Sequence, residues 1–264
     1  MKKLILLSLL CLAFTVNAQT TYVITMGVQN YNNPNNPAES LLNSASDAMT
    51  IDSIFKAKGA QTACLTGKYV NVSNINEKLD IVKYKINKNQ GKDNLVVFCS
   101  THGSQNGYLL TWDGFYYVGE LIRRLSEIKA KNICLFLDDC HSGSAGKIYM
   151  EMSPEKRNPA LFIFTACRQE ESAIDESMLG SAWFSAAVIK GLRGISDSDR
   201  NRVITVAELY KYIYDDVVLR CEKKNQALLK KMEGKESEVQ LFSMHPQLYG
   251  PANKMNEPVI SYVK

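Results

Sequence analysis

The sequence predicts an α/β fold, a parallel sheet covered by helices on both faces. Two patterns carry this reading. Strand-like runs alternate with amphipathic helical ones along the chain, and the strand runs are continuously apolar, as strands buried on both faces are. No internal repeat and no low-complexity linker divides the chain, so one domain is the simpler organisation.

The elements follow in order. TYVITMGV, residues 21–28, has a buried-strand pattern and leads into NYNNPNNPAES, a loop dense in Asn and Pro. Leu41, Ala45, Ala48, Ile51 and Phe55 then recur three or four apart, the stripe of a helix that stops at Gly59. QTACLTG is a short strand, and Ile75, Leu79, Val82 and Ile86 mark one face of the next helix. NLVVFCS is a strong strand, VGELIRRLSEI a helix, NICLFLDD a third strong strand and ALFIFTACR a fourth. AWFSAAVIKGLRG is a helix ending at glycine. A long helix runs from about 205 to 232, with Val206, Leu209, Ile213, Val217 and Cys221 on one stripe.

The first residues, MKKLILLSLLCLAFTVNAQT, combine Lys2 and Lys3 with an apolar run over 4–16 and a small-residue exit at Ala18. This is the pattern of a signal peptide over 1–18, too short for the ~20 residues a membrane span needs. The expectation is an exported chain, periplasmic or extracellular, whose mature domain is 19–264 and carries no membrane span. Cys11 follows Leu10, where a lipoprotein signal would want a small residue. The formal charge is only +4, and no basic run is interleaved with aromatics, which argues against a nucleic-acid partner.

Past the leader lie Cys64, Cys99, Cys134, Cys140, Cys167 and Cys221. An even number in an exported chain invites disulfides. Wide spacing, and the placement of several inside apolar runs, favour small buried hydrophobes instead, and no CxxC pair suggests zinc or redox chemistry.

In such sheets ligands bind beyond the carboxyl ends of the strands. NLVVFCS ends by delivering His102 in STHGS, and NICLFL delivers Cys140 in DDCHSG. A free thiol, with a reference pKa of about 8.5, is a weak nucleophile near neutral pH until a base takes its proton. His141 adjoins Cys140 and should point elsewhere, which makes His102 the better base of the three histidines. The amides of Gly103 and Cys140 could form an oxyanion hole. Periodicity alone leaves open a buried strand-end cysteine and an ordinary loop histidine.

FCSTHGSQNG and LFLDDCHSG resemble the two catalytic blocks of the caspase and metacaspase family of cysteine peptidases. YVITMGVQNY resembles that family's first strand, SASDAMTI its first helix, FTACRQEESA the strand and loop after the nucleophile, and HPQLYG its closing strand. The resemblance implies a caspase-hemoglobinase fold with a mainly parallel six-stranded sheet, Cys140 as nucleophile and His102 as general base and acid. It also implies a pocket lined by Asp47, Ser100 and Asp138 for the side chain before the scissile bond. Two carboxylates suit arginine or lysine, whereas a pocket for aspartate would need cations. The expected partner is therefore a peptide or protein with Arg or Lys before the cut. Strand alternation places Asp138 on the side of Cys140 and turns Asp139 away, as a turn or helix-end partner with no direct chemical role. Thr101 departs from the family, which usually has glycine before the histidine.

Two further stretches draw notice. DSDRNRVITVAE, residues 197–208, has the ligand spacing of an EF-hand loop, but Arg202 stands at the sixth place, where glycine is needed. Thr205 and Glu208 there also fit a capping box. No metal site is assigned and no cofactor is required, although many metacaspases depend on calcium. The connection 144–159 is polar and holds Lys147, Lys156 and Arg157, so an enzyme that cuts after basic residues could process itself there. The competing functions are a catalytically weak or inactive caspase-like module that binds peptides or proteins, and another thiol-dependent hydrolase or transferase. The last is disfavoured because neither GxGxxG after the first strand nor GK[ST] occurs.

Overall fold

The computed structural model describes residues 19–35, 38–89, 91–176, 180–232 and 240–261; the leader read at 1–18 lies outside them. In chain order the elements are β1 (Thr21–Gly27), α1 (Ser44–Lys56), β2 (Gln61–Thr66), α2 (Val72–Lys88), β3 (Asn94–Ser100) and a small antiparallel sheet of β4 (His102–Gly103), β5 (Tyr108–Leu110) and β6 (Phe115–Tyr117). Then come α3 (Val118–Ser126), β7 (Asn132–Asp138), α4 (Ser144–Glu151), β8 (Leu161–Thr165), the pair β9 (Asp175–Glu176) and β10 (Ser181–Ala182), and α5 (Trp183–Lys190). The chain closes with β11 (Val203–Thr205), α6 (Val206–Lys231), β12 (Gln247–Tyr249) and β13 (Pro258–Ser261).

Six strands form the central sheet in the order β12-β8-β7-β3-β1-β2. All neighbours are parallel except β12, which runs antiparallel to β8 at one edge. The continuous apolar runs are explained by two cores. Ile24, Met26, Leu95, Val97, Ile133, Leu135, Leu161 and Ile163 face one side, where α2, α3 and α4 cover them. Val23, Val96, Phe98, Phe136, Phe162 and Phe164 face the other side, against α1, α5 and α6. Side chains alternate across a strand, so a strand that serves two cores must be apolar at every position. Phe136 and Phe164 are register partners and stack with ring centroids 4.5 Å apart.

Register also brings the strand ends level: Gly27 pairs with Ser100, and Ser100 with Asp138. The residues that follow β3 and β7 therefore emerge side by side at the carboxyl edge. A Cβ at Gly27 would overlap the carbonyl of Ser44, so α1 starts directly on the end of β1. The Ser44 and Ser100 hydroxyls then meet at 2.9 Å.

The connection after the nucleophile strand corrects the expectation of a loop over 144–159. Its first half is α4, which contains Lys147, and a turn of 3-10 helix at Pro154–Lys156 holds Lys156. Arg157 donates to the Met150 and Met152 carbonyls and lies over the Tyr149 ring. α4 crosses back from the carboxyl ends of the strands to their amino ends, because β8 starts parallel to β7. Lys156 and Arg157 thus lie at the opposite edge of the sheet from Cys140, about 20 Å away across a seven-residue strand. No helix among the described residues is long and apolar enough to cross a membrane.

Candidate active site

The histidine arm begins where β3 ends. Thr101 is buried, its hydroxyl donates to the His102 carbonyl at 3.0 Å, and its φ is not positive. The backbone at 101 therefore makes no demand for glycine. His102 lies against Tyr31, ring centroids 5.2 Å apart. The Tyr31 hydroxyl accepts from the His102 amide at 3.2 Å and donates to the Leu110 carbonyl at 3.0 Å. His102 Nε2 is 2.7 Å from the Glu39 carbonyl oxygen. A carbonyl only accepts, so Nε2 carries the hydrogen and Nδ1 holds the lone pair that can take a proton.

Cys140 follows β7 at a turn, half-buried, with Sγ 3.8 Å from the Ala173 carbonyl oxygen. Burial pushes its thiol above the ordinary value, and the nearby Asp139 and Asp138 charges push the same way. His141 adopts a left-handed conformation, φ 62°. Its amide donates to the Glu171 carbonyl at 2.9 Å, and its Nδ1 is 2.8 Å from the Gln169 carbonyl oxygen. Ser142 Oγ accepts from the Cys167 amide at 3.2 Å, so the loops after β7 and β8 hold each other. Glu171 anchors the second loop: its carboxylate accepts from the Arg168 and His245 amides and from the Ser243 hydroxyl, and His245 Nδ1 lies 2.5 Å away. Burial alone would raise its pKa, but these hydrogen bonds prevail and hold the carboxyl down at about 2. The described cysteines are all free thiols.

Cys140, His102, Ser100, Asp138 and Asp139 line one narrow cleft with Leu41, Ala173 and Asp175. No lysine or arginine among the described residues lines it. Asp138 accepts from the Ser185 hydroxyl of α5. Asp47 stands one layer behind, and both of its oxygens are taken, by the Ser181 hydroxyl at 2.6 Å and the Ala182 amide at 3.0 Å. Asp175 accepts from the Leu42 and Asn43 amides at 2.7 and 3.2 Å and from the Asn43 side chain at 2.6 Å. Burial first, then the charges of Asp47 and Asp175, lift the Asp138 carboxyl to about 7; burial and the charge of Asp175 lift Asp47 to about 6. Asp138, Asp139 and Asp175 thus line the cleft, with Asp47 behind them and no cation among the described residues lining it.

Gly103 also has a packing role. A Cβ there would overlap Asp139 Oδ2 and the Cys140 carbonyl, so glycine is what lets the histidine strand approach the nucleophile turn. The Cys140 amide has no acceptor among the described residues.

A family model described as the caspase domain matches residues 20–246. The chain belongs to the caspase-domain family. Among solved structures, protein GSU0716 from Geobacter sulfurreducens is similar with a TM-score of 0.62 and 12% identity, covering 93% of this chain and 100% of that one. Caspase-1 from Spodoptera frugiperda is similar with a TM-score of 0.60 and 14% identity, covering 88% and 86%. At such identities the likeness is one of fold. No match was found among curated proteins.

Within this caspase domain, Tyr31 and the Glu39 carbonyl sit in irregular segments and Asp175 on a two-residue strand, where no periodicity marks a position. The acidic loop is legible in the end as a helix start. The ligand oxygens of Asp197, Asp199 and Glu208 lie within 4.8 Å of one another, and Arg202 takes the left-handed conformation, φ 68°, at the glycine position. Glu208 Oε2 accepts from the Thr205 amide and the Thr205 hydroxyl oxygen accepts from the Glu208 amide, a capping box on α6, while Glu208 Oε1 accepts from Ser198.

Proposed function

We propose that this caspase-domain protein is a cysteine endopeptidase that cleaves after arginine or lysine. The observation that carries the reading is the single cleft in which a thiol, an imidazole with a free Nδ1 and a group of cation-free carboxyls meet. His102 Nδ1 accepts the proton of Cys140 Sγ, and the thiolate attacks the carbonyl carbon of the scissile bond. The Gly103 and Cys140 amides receive the oxyanion. As the C–N bond breaks, His102 returns the proton to the leaving amine; water then hydrolyses the thioester, with His102 again as base. Asp138 and Asp175 meet the substrate cation, Ser100 lines the same wall, and Asp47 fixes Ala182 behind it.

The reading includes export through the leader at 1–18. Self-processing at Lys156 or Arg157 fits it only as a reaction between two molecules, and Lys147 must first leave its helix. A panel of fluorogenic peptides varying the residue before the cut among Arg, Lys, Asp and Asn, with and without calcium, tests the proposal. Hydrolysis after Arg and Lys that disappears in Cys140→Ala is the expected result. Cleavage after Asp would overturn the specificity, and no cleavage of any peptide would favour a binding module.

A further inference from the structure

The acid immediately before Cys140 is not used by the pocket. Asp138 turns toward Ser185, whereas Asp139 packs on the other side, its Oδ2 against Gly103. The side chain is 4% exposed, lines the cleft, and leaves Oδ1 buried with no hydrogen-bond partner. The Asp139 carbonyl is the turn partner, accepting from the Ser142 amide at 3.3 Å, while Oδ1 takes no part in the turn. A buried polar atom without a partner is rare enough in folded chains to call for an explanation.

The titratable groups around it are Asp138 at the end of β7, Cys99 on β3, Tyr31 before α1, Cys140 itself, Cys167 after β8, and His102 across the cleft. None is a cation unless His102 is protonated. A carboxylate placed there would be desolvated, unpaired and beside a second acid, so the neutral form is favoured. Burial, with the Asp138 charge adding to it, accordingly holds the carboxyl well above its usual range.

We propose that Asp139 governs the reactivity of Cys140 through its own charge: as a neutral acid it leaves the thiol free to ionise, and as a carboxylate it suppresses the thiolate. The peptidase would thus be restrained as pH rises through the ionisation of one residue. This rests on Cys140 being the nucleophile, and the test separates the two claims.

The full chain is used in a Cys64→Ser background, because Cys64 is an exposed thiol that would also react. Iodoacetamide alkylation of Cys140, located by mass spectrometry, is followed from pH 5 to 10 in the parent, Asp139→Asn and Asp139→Ser, with peptide hydrolysis in parallel. Removing the charge should make alkylation about tenfold faster at alkaline pH, the equivalent of one pKa unit in the thiol, with little change at pH 5. Identical profiles in all three proteins, or slower alkylation in the variants, would overturn the proposal. Should both substitutions unfold the chain, the profile of Asp138→Asn, which lacks the other acid that titrates beside Cys140, decides: a two-step rise there supports the restraint and a single ionisation refutes it. Faster alkylation in the variants without hydrolysis in any protein would leave Asp139's role standing and sink the peptidase. Hydrolysis with unshifted alkylation would do the reverse.

Discussion

Asp138 and Asp47 oppose stability above neutral pH. Their folded-state values, about 7 and about 6, exceed the ordinary carboxyl range. The folded chain therefore holds protons that the unfolded chain releases, and the stability these groups contribute is complete below about pH 4 and lost as pH rises through 6 to 7. Asp138→Asn should melt about 3 °C or more above the parent at pH 8 and near the parent at pH 4, read by thermal denaturation. The same variant should cleave Arg peptides at least about tenfold more slowly, since one charge-assisted contact is lost. Glu171 has the opposite sign: held at about 2, it stabilises above the ordinary carboxyl range and that contribution fades as pH falls toward 2. Cys140 and His102 were legible in the sequence because reactive side chains at the ends of apolar strands stand out. Asp175 was not, since three hydrogen bonds to residues 42 and 43 place it and no spacing encodes them.

Among the elements, the long apolar strands and striped helices could be read directly, because two-sided burial leaves its mark at every position. The strands of two or three residues, β4 to β6 and β9 to β10, are too short to carry a period. The helix α4 was hidden by Ser, Gly and Lys in its sequence, although Tyr149 within it is buried. Two substitutions test how elements meet. Gly103→Ala should lower the melting temperature by several degrees and abolish peptide hydrolysis, because its methyl group collides with the Cys140 backbone as well as Asp139. Thr205→Ala should cost about 1 kcal/mol in denaturant unfolding through loss of the α6 cap, with catalysis unaffected. Asn43, at the start of α1, gives that helix no side-chain cap, since its amide is turned to Asp175 instead.

At the scale of the molecule, the sheet has two ends with different duties. Its carboxyl edge gathers the thiol, the imidazole and the acids, while its amino edge carries Lys156 and Arg157. Any processing at those residues should be second order: mixing active protein with Cys140→Ala protein should nick the latter, at a rate proportional to the concentration of the former. A first-order rate unchanged by dilution would contradict this geometry. The partly protonated acid cluster has one more consequence, for exchange with solvent. Under the proposed specificity, a guanidinium or ammonium group that settles against Asp138 replaces a proton that the carboxyl held at rest, so substrate capture would be a swap of one cation for another. Near neutral pH, binding of a basic peptide should therefore acidify a weakly buffered solution, and its measured heat should vary with the ionisation enthalpy of the buffer.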